Sequence, residues 1–316
     1  MNQKSEKDQI TAITNVRIFD GERVIDKKSV VIIGAKIQAV GGKVPIGATV
    51  IDGHGATLMP GLIDSHVHTD MNGLSDALKF GVTTELEMMG SWSKRQCKQI
   101  AERNDIADLR SPGMGITPPG GHPTEYMPDN FLVRLFTRFI FPFVKTPGQA
   151  VKFVDKQVAK GADYIKIFIE DGTLVGAPKM PTTPLETIRA AVKRAHYHGK
   201  MALVHVTTVE GTKQALEAGV DGLVHIFFDQ PYTPELIDAI VASGVFVTPT
   251  LVVGSTAFGN NAAALAADKR VSSRLSKKWL DSLSRSMNCY PQGNLDDVFA
   301  SLKALHDAGV DILAGY

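Results

Sequence analysis

The 316-residue chain holds only two cysteines, Cys97 and Cys289. Two thiols cannot build a disulfide framework, and they read as reduced bystanders rather than catalytic thiols. No apolar run is long enough to span a bilayer. The amino terminus, MNQKSEKDQI, lacks the apolar core of a secretory signal, so the cytoplasm is the expected compartment. An excess of either charge is also missing. Lys plus Arg is 34 and Asp plus Glu is 33, a formal net charge of +1. That balance argues against a nucleic-acid or membrane-surface partner, either of which needs a clustered cationic face. The remainder is ordinary for a globular chain, with 44% hydrophobic and 21% charged residues. At about 150 residues per domain the length allows two domains, or one large α/β domain with an appendage.

Residues 1–60 lack helical periodicity. ITAITNVRIFD, SVVIIGAKIQAV and ATVIDGHGATLMPG are rich in Val, Ile and Thr and punctuated by Gly, which predicts a small antiparallel, β-sandwich-like domain. From residue 61 to 316 the texture changes. Eight short apolar runs alternate with helical segments: Leu62–His68, Val82–Met88, Leu109–Ile116, Tyr164–Ile169, Ala202–Val206, Gly222–Ile226, Val245–Thr250 and Asp311–Ala314. Thr146-Pro147 and Thr183-Pro184 carry helix-start signals, and Thr233-Pro234 repeats the first half of them. HGKMALVH, AGVDGLVH, ASGVFVTP and AGVDILAG each put Gly just before a strand, the mark of a helix C′ position. Eight βα units in this length fit a (β/α)8 TIM barrel. A doubly wound open sheet is the alternative, but its Gly-rich turn after the first strand is missing; DSHVHTDMNG stands there.

Two connections are long. Residues 117–145 hold PPGGHPTEYMPDN and the aromatic FLVRLFTRFIFPF, with Phe131, Phe136, Phe139, Phe141 and Phe143. This stretch reads either as a helix packed on the barrel or on another subunit, or as a substrate lid. Residues 252–295 hold a Gly/Asn/Ala-rich loop and a polar helix.

His66 and His68 lie two apart in IDSHVHTD, which on a strand places both on one face. Alone, such a pair is a weak metal signal. Three other strands add to it. His205 in ALVHVTT, His225 in GLVHI and Lys166 in DYIKIF are each the one titratable residue of an apolar run, toward the strand's C-terminal end. Catalytic groups of barrels occupy those ends. An ammonium in an apolar strand is costly unless paired or neutralised. Lys166 therefore either pairs with a carboxylate such as Glu85 or Glu87, or serves a site beside the four histidines. His54, His196, His198 and His306 read as structural or solvent-facing.

PGLIDSHVH, IKIF, the strand-borne histidines, VTPTLV and AGVDILAG together resemble the amidohydrolase superfamily, in particular its imidazolonepropionase-like and Xaa-Pro dipeptidase-like branch. The resemblance covers the whole chain. It implies that His66 and His68 bind the more buried of two metals. It implies that Lys166, carboxylated by CO2, bridges the pair, and that His205 and His225 bind the second. Zn2+ is the expected ion, since imidazole and carboxylate-type oxygens suit it. The implied activity is hydrolysis of amide or peptide C–N bonds in small dipeptides or N-acyl amino acids, through a metal-bound hydroxide. His122 in GGHPT matches a family position near the substrate, and Tyr126 is a weaker substrate candidate. A homo-oligomer and a small-molecule partner are also implied.

The chain departs from the family in two places. The family carries a metal-binding, general-base Asp just past the eighth strand, whereas this chain reads AGY and stops at Tyr316. The expected Asp would follow Tyr316. The last barrel helix and the strands completing the β unit are missing as well, as in a truncated gene product or a trimmed chain, so the barrel is expected to be C-terminally incomplete. After the fourth strand the family tends to small residues, but Glu170-Asp171 stand here. Three alternatives stay open: an ester or lactone hydrolase on the same site, an enzyme of low activity, and an inactive amidohydrolase-like scaffold that binds partners. A phosphate-binding barrel would need a Gly-rich loop after the seventh strand, and Gly254-Ser255 is too little for that.

Overall fold

The computed structural model describes residues 9–126, 141–177 and 179–315. The chain divides into two compact units, Met1–Leu62 and Ile63–Tyr316.

The first unit is built from β1 (Ile10–Thr14), β2 (Arg17–Phe19), β3 (Val24–Ile25), β4 (Ser29–Ile33), β5 (Lys36–Val40), β6 (Thr49–Asp52) and β7 (Thr57–Leu58). One sheet has the order β5-β4-β1-β6 and a second the order β3-β2-β7. The antiparallel expectation holds for β1 with β4, β4 with β5 and β2 with β3. It fails for β1 with β6 and β2 with β7, which pair in parallel. The reason lies in the connections. The β4–β5 hairpin turns at Gly34, whose φ of 56° suits a residue without Cβ. The chain then returns to the free edge of β1 running in β1's own direction. Val16, Ile18 and Val30 form a small core with Ile13, Ile25, Ile32 and Leu58.

The second unit alternates strands and helices. β8 (Leu62–Val67), β9 (Val82–Glu87) and β10 (Asp108–Arg110) form a sheet of order β10-β9-β8. β11 (Ile165–Ile169), β12 (Ala202–Val206), β13 (Gly222–Val224) and β14 (Phe246–Thr248) form another, parallel throughout. Parallel order follows from the helices that return the chain between strands, among them Leu185–Tyr197 and Val209–Ala218. A parallel bridge joins Ile116 to Ile167, and a second joins Val247 to Ile312. The Ser65 N–H donates to the Ala314 carbonyl at 2.8 Å. A Cβ on Gly315 would stand 2.9 Å from the His66 nitrogen, so that approach needs glycine. The third and eighth apolar runs are therefore only partly strand. β10 stops at Arg110, and Ile312 contributes a single bridge.

Helix ends follow the sequence signals with one exception. Thr146 and Thr233 cap the helices Pro147–Lys160 and Pro234–Ser243 through their side chains. At Leu185–Tyr197 the cap position is Pro184, without a side-chain cap, and the buried Thr183 hydroxyl donates instead to the Phe168 carbonyl at 3.0 Å. That carbonyl belongs to a fully buried strand, and its claim on the hydroxyl outweighs capping. The main core joins Ile165, Ile167 and Ile169 of β11 to Ile188, Ala191 and Val192 of the following helix. No helix among the described residues is long and apolar enough to cross a membrane. Phe131, Phe136 and Phe139, and with them the packing-or-lid alternative, lie outside the described residues. Of that stretch, the Phe141 and Phe143 rings stand 4.8 Å apart.

Candidate functional site

Side chains on a strand alternate between its two faces. In β11 the odd residues Ile165, Ile167 and Ile169 enter the core shared with the helices. Lys166, Phe168 and Glu170 consequently share the other face. The Phe168 ring lies 5.3 Å from the His122 ring and 5.5 Å from that of His205. The Lys166 Nζ sits 5.5 Å from the Phe168 centroid.

Imidazoles accumulate on this face. The His66 ring is 4.7 Å from His225 and 5.6 Å from His68. His205 is 4.5 Å from His225 and 4.4 Å from His122. His66, His122 and His205 are buried. The His68 side chain is 61% exposed, with its Nδ1 3.8 Å from a carboxylate oxygen of Glu87. All five histidines singled out in the sequence thus meet in one chain of neighbouring rings around the Lys166 strand face. Tyr126 borders it, 5.8 Å from His122 between ring centroids, with its side chain largely exposed. Among the described residues, no three His, Cys, Asp or Glu side chains already meet in a group that could hold a metal ion.

The backbone is unusual at the strand ends. His225 follows β13 with φ 75°, and Thr250 has φ 46°, both in the left-handed region that non-glycine residues seldom occupy. The His225 Nδ1 and the Thr250 hydroxyl hydrogen-bond to each other. Strain of this kind persists only where surrounding structure enforces it, and it collects at functional sites.

Electrostatics sets these groups apart. Burial pushes Lys166 down from 10.5 to about 7, with Glu87 pulling the other way. The amine is 1% exposed, and its Nζ has no hydrogen-bond partner. The alternative of an ion pair with Glu85 or Glu87 is therefore not what the structure has. Glu87 is occupied elsewhere: it accepts from the Met89 N–H at 2.7 Å and the Ser111 hydroxyl at 2.7 Å. Glu85 is pushed up, chiefly by burial, and has an unpartnered oxygen of its own. Burial first, and then their cationic neighbours, hold His66, His205 and His225 well below the ordinary imidazole range. Imidazoles held neutral keep a lone pair free, as a metal ligand must. The His66 Nδ1 is likewise buried and unpartnered. Two orphaned nitrogen donors in one buried cluster are costly unless something fills the space between them.

Two acids outside the expected site residues also make contacts here. Glu170 is 1% exposed and meets His205 and Thr207. Glu125 lies 2.5 Å from the His122 Nδ1. The signal for Glu170 was the period of two running from Lys166, which puts an acid on the face of the lysine. Glu125 carried no comparable signal, because a short 3-10 turn, Thr124–Tyr126, brings it back to His122.

A family model described as "Amidohydrolase family" matches residues 57–316. An adenine deaminase of Thermosipho africanus (strain TCF52B) is 35% identical over 81 residues, 24% of this chain. That match spans only 14% of the deaminase's length. Two solved structures share the fold. One is a prolidase complexed with N-methylphosphonate-L-proline, with TM-score 0.71, 23% identity and coverage of 97% of this chain and 78% of that one. The other is a Xaa-Pro dipeptidase with methionine bound in its active site, with TM-score 0.68, 22% identity and coverage of 97% and 79%.

Proposed function

The chain belongs to the amidohydrolase family of hydrolytic enzymes, and we propose that it hydrolyses amide or peptide C–N bonds of small dipeptides or N-acyl amino acids at a binuclear divalent-metal site. The observation that carries this reading is Lys166. Its amine is fully buried, has no partner, and lies on the strand face where five histidines gather. With its proton affinity lowered to about 7, a large share of the amine is neutral at physiological pH. Only the neutral amine can add to CO2. The N–C bond forms as the amine loses one proton to solvent, and the product carbamate replaces the buried amine by an anion with two oxygen donors. His66 and His68 would hold one Zn2+, His205 and His225 the other, with carboxylated Lys166 between them. The orphaned Nδ1 of His66 and Nζ of Lys166 fit that assignment, as does an all-nitrogen and carboxylate-type donor set. When bound, the metals would supply an acidified water and polarise the scissile carbonyl.

The remaining residues bind and orient. His122, held by Glu125 at 2.5 Å with its ring 4.4 Å from that of His205, would meet the substrate beside the reacting bond, with Tyr126 at the rim. The buried Phe168 ring, beside His122, His205 and Lys166, would help exclude bulk water. The fold we propose for this site is a (β/α)8 barrel. It is supported by the parallel pairing of β9 with β10 and of β11 through β14, the bridges at Ile116–Ile167 and Val247–Ile312, and the Ser65–Ala314 hydrogen bond. A β-sandwich-like first unit is supported by a core that draws Val30 from one sheet and Ile18 from the other. The Phe-rich stretch after Pro118 supports a homo-oligomer.

The test is release of free amino acid from a panel of Xaa-Pro dipeptides and N-acyl amino acids, by the full chain given zinc and bicarbonate. Cleavage that a chelator abolishes is expected. Turnover of matched esters or lactones alone would move the reading to those substrates. Turnover of none would leave a non-catalytic scaffold.

A further inference from the structure

Glu170 follows β11 directly, and its side chain is among the most completely buried in the protein. Such a carboxylate needs donors, and it has them. One oxygen, Oε1, accepts the Gly172 N–H at 2.7 Å. The other, Oε2, accepts the Thr207 hydroxyl and lies 3.2 Å from Nε2 of His205. The family resemblance gives small residues after the fourth strand, so it assigns nothing to this acid.

A carboxylate only accepts hydrogen bonds. The hydrogen of a neutral His205 ring that faces Glu170 must therefore sit on Nε2, which leaves the lone pair on Nδ1. We infer that Glu170 is a positioning residue, fixing His205 as the Nε2–H tautomer so that the ring offers Nδ1 to a cation. The cation itself rests on the metal-site reading above; the tautomer does not. A carboxylate set against the far nitrogen of a ligating histidine is a general way to fix ring orientation and raise ligand basicity.

The contacts make Glu170→Gln a sharper probe than Glu170→Ala. The Gly172 N–H still requires an acceptor, so the amide oxygen stays on that side. The new NH2 group then faces Thr207 and His205. The threonine hydroxyl can turn and accept. The ring nitrogen can meet an NH2 group only by accepting, which forces hydrogen onto Nδ1 and removes the lone pair from where the cation needs it. A nearly isosteric change thus imposes the wrong tautomer, whereas alanine merely releases the ring.

The experiment uses the full chain labelled with 15N-histidine and free of metal. Long-range proton–nitrogen correlation reads the His205 tautomer, assigned by comparison with His205→Gln, in wild type, Glu170→Gln and Glu170→Ala. Zinc affinity is then measured by competition, and thermal unfolding is followed on the same samples. The wild type should show Nε2–H and Glu170→Gln should show Nδ1–H. Zinc affinity should fall about 10–100-fold in Glu170→Gln, at least as far as in Glu170→Ala, although the glutamine variant unfolds at the higher temperature. A merely structural role predicts the same order for affinity and stability. That outcome, an Nδ1–H wild type, or a glutamine variant that keeps Nε2–H would overturn the inference. If the alanine variant does not fold, the wild-type and glutamine tautomers decide the matter alone. A wild-type chain that binds no zinc would contradict the metal reading separately, and the tautomer would still decide this one.

Discussion

Strands β5 and β6 of the first unit are exposed along their whole length, whereas β11 and β12 of the second are buried along theirs. The residue types are much alike: KIQAV and TVID against IKIFI and ALVHV. What differs is the cost of a polar side chain. Lys36 and Gln38 stand in solvent and carry no message. Lys166 and His205 sit where desolvation must be offset, so their presence calls for a chemical reason. Burial, rather than residue identity, makes a polar group informative.

Core truncation should break this symmetry most strongly. Ile167→Ala, at a fully buried position, should cost about 2–5 kcal/mol. Ile37→Ala, at a position 70% exposed, should stay within about 0.5 kcal/mol. Urea unfolding of both variants measures the contrast, and comparable losses would mean that the first sheet is covered.

The next effect is a dependence on pH. The unfolded chain keeps the Lys166 proton up to about 10.5, while the folded chain releases it near 7. Between those values unfolding takes up a proton, so raising the pH stabilises the metal-free fold. The penalty is complete below pH 7 and gone above 10.5. Lys166→Met should lack this dependence and be more stable than wild type at pH 7 by a few kcal/mol, since each tenfold in proton affinity is worth about 1.4 kcal/mol. Parallel stability–pH curves for the two proteins would show that the amine is not desolvated.

A smaller effect separates two similar sequence signals. Thr233→Ala removes a side-chain cap and should cost about 1 kcal/mol. Thr183→Ser keeps the hydroxyl that reaches the Phe168 carbonyl, so it should be milder than Thr183→Val, which leaves that buried carbonyl unpaired. Equal losses in the two Thr183 variants would point to packing alone.

The alternation of β11 and the solitary titratable residues Lys166, His205 and His225 of their apolar runs were legible in the sequence, because a buried parallel strand reads as an apolar run and any exception stands out. The parallel pairing of β6 with β1 was not, since it depends on where the β4–β5 hairpin delivers the chain. Thr183 was misread because the capping pattern is local, whereas the competing Phe168 carbonyl comes from another element. Glu170 was visible as a departure from the family, but its hold on His205 depends on β11 and β12 pairing in register, with Phe168 beside His205. Glu125 reaches His122 through a single short turn that no periodicity announces.

The central claim is that the buried, unpartnered Lys166 amine exists to complete a metal site. Zinc bound per chain, measured by elemental analysis after dialysis with bicarbonate, tests it most directly when wild type is compared with Lys166→Met. The account predicts two zinc ions per wild-type chain and loss of the binuclear complement in the variant, with the fold intact. Equal zinc in both proteins, or none in either, would contradict it.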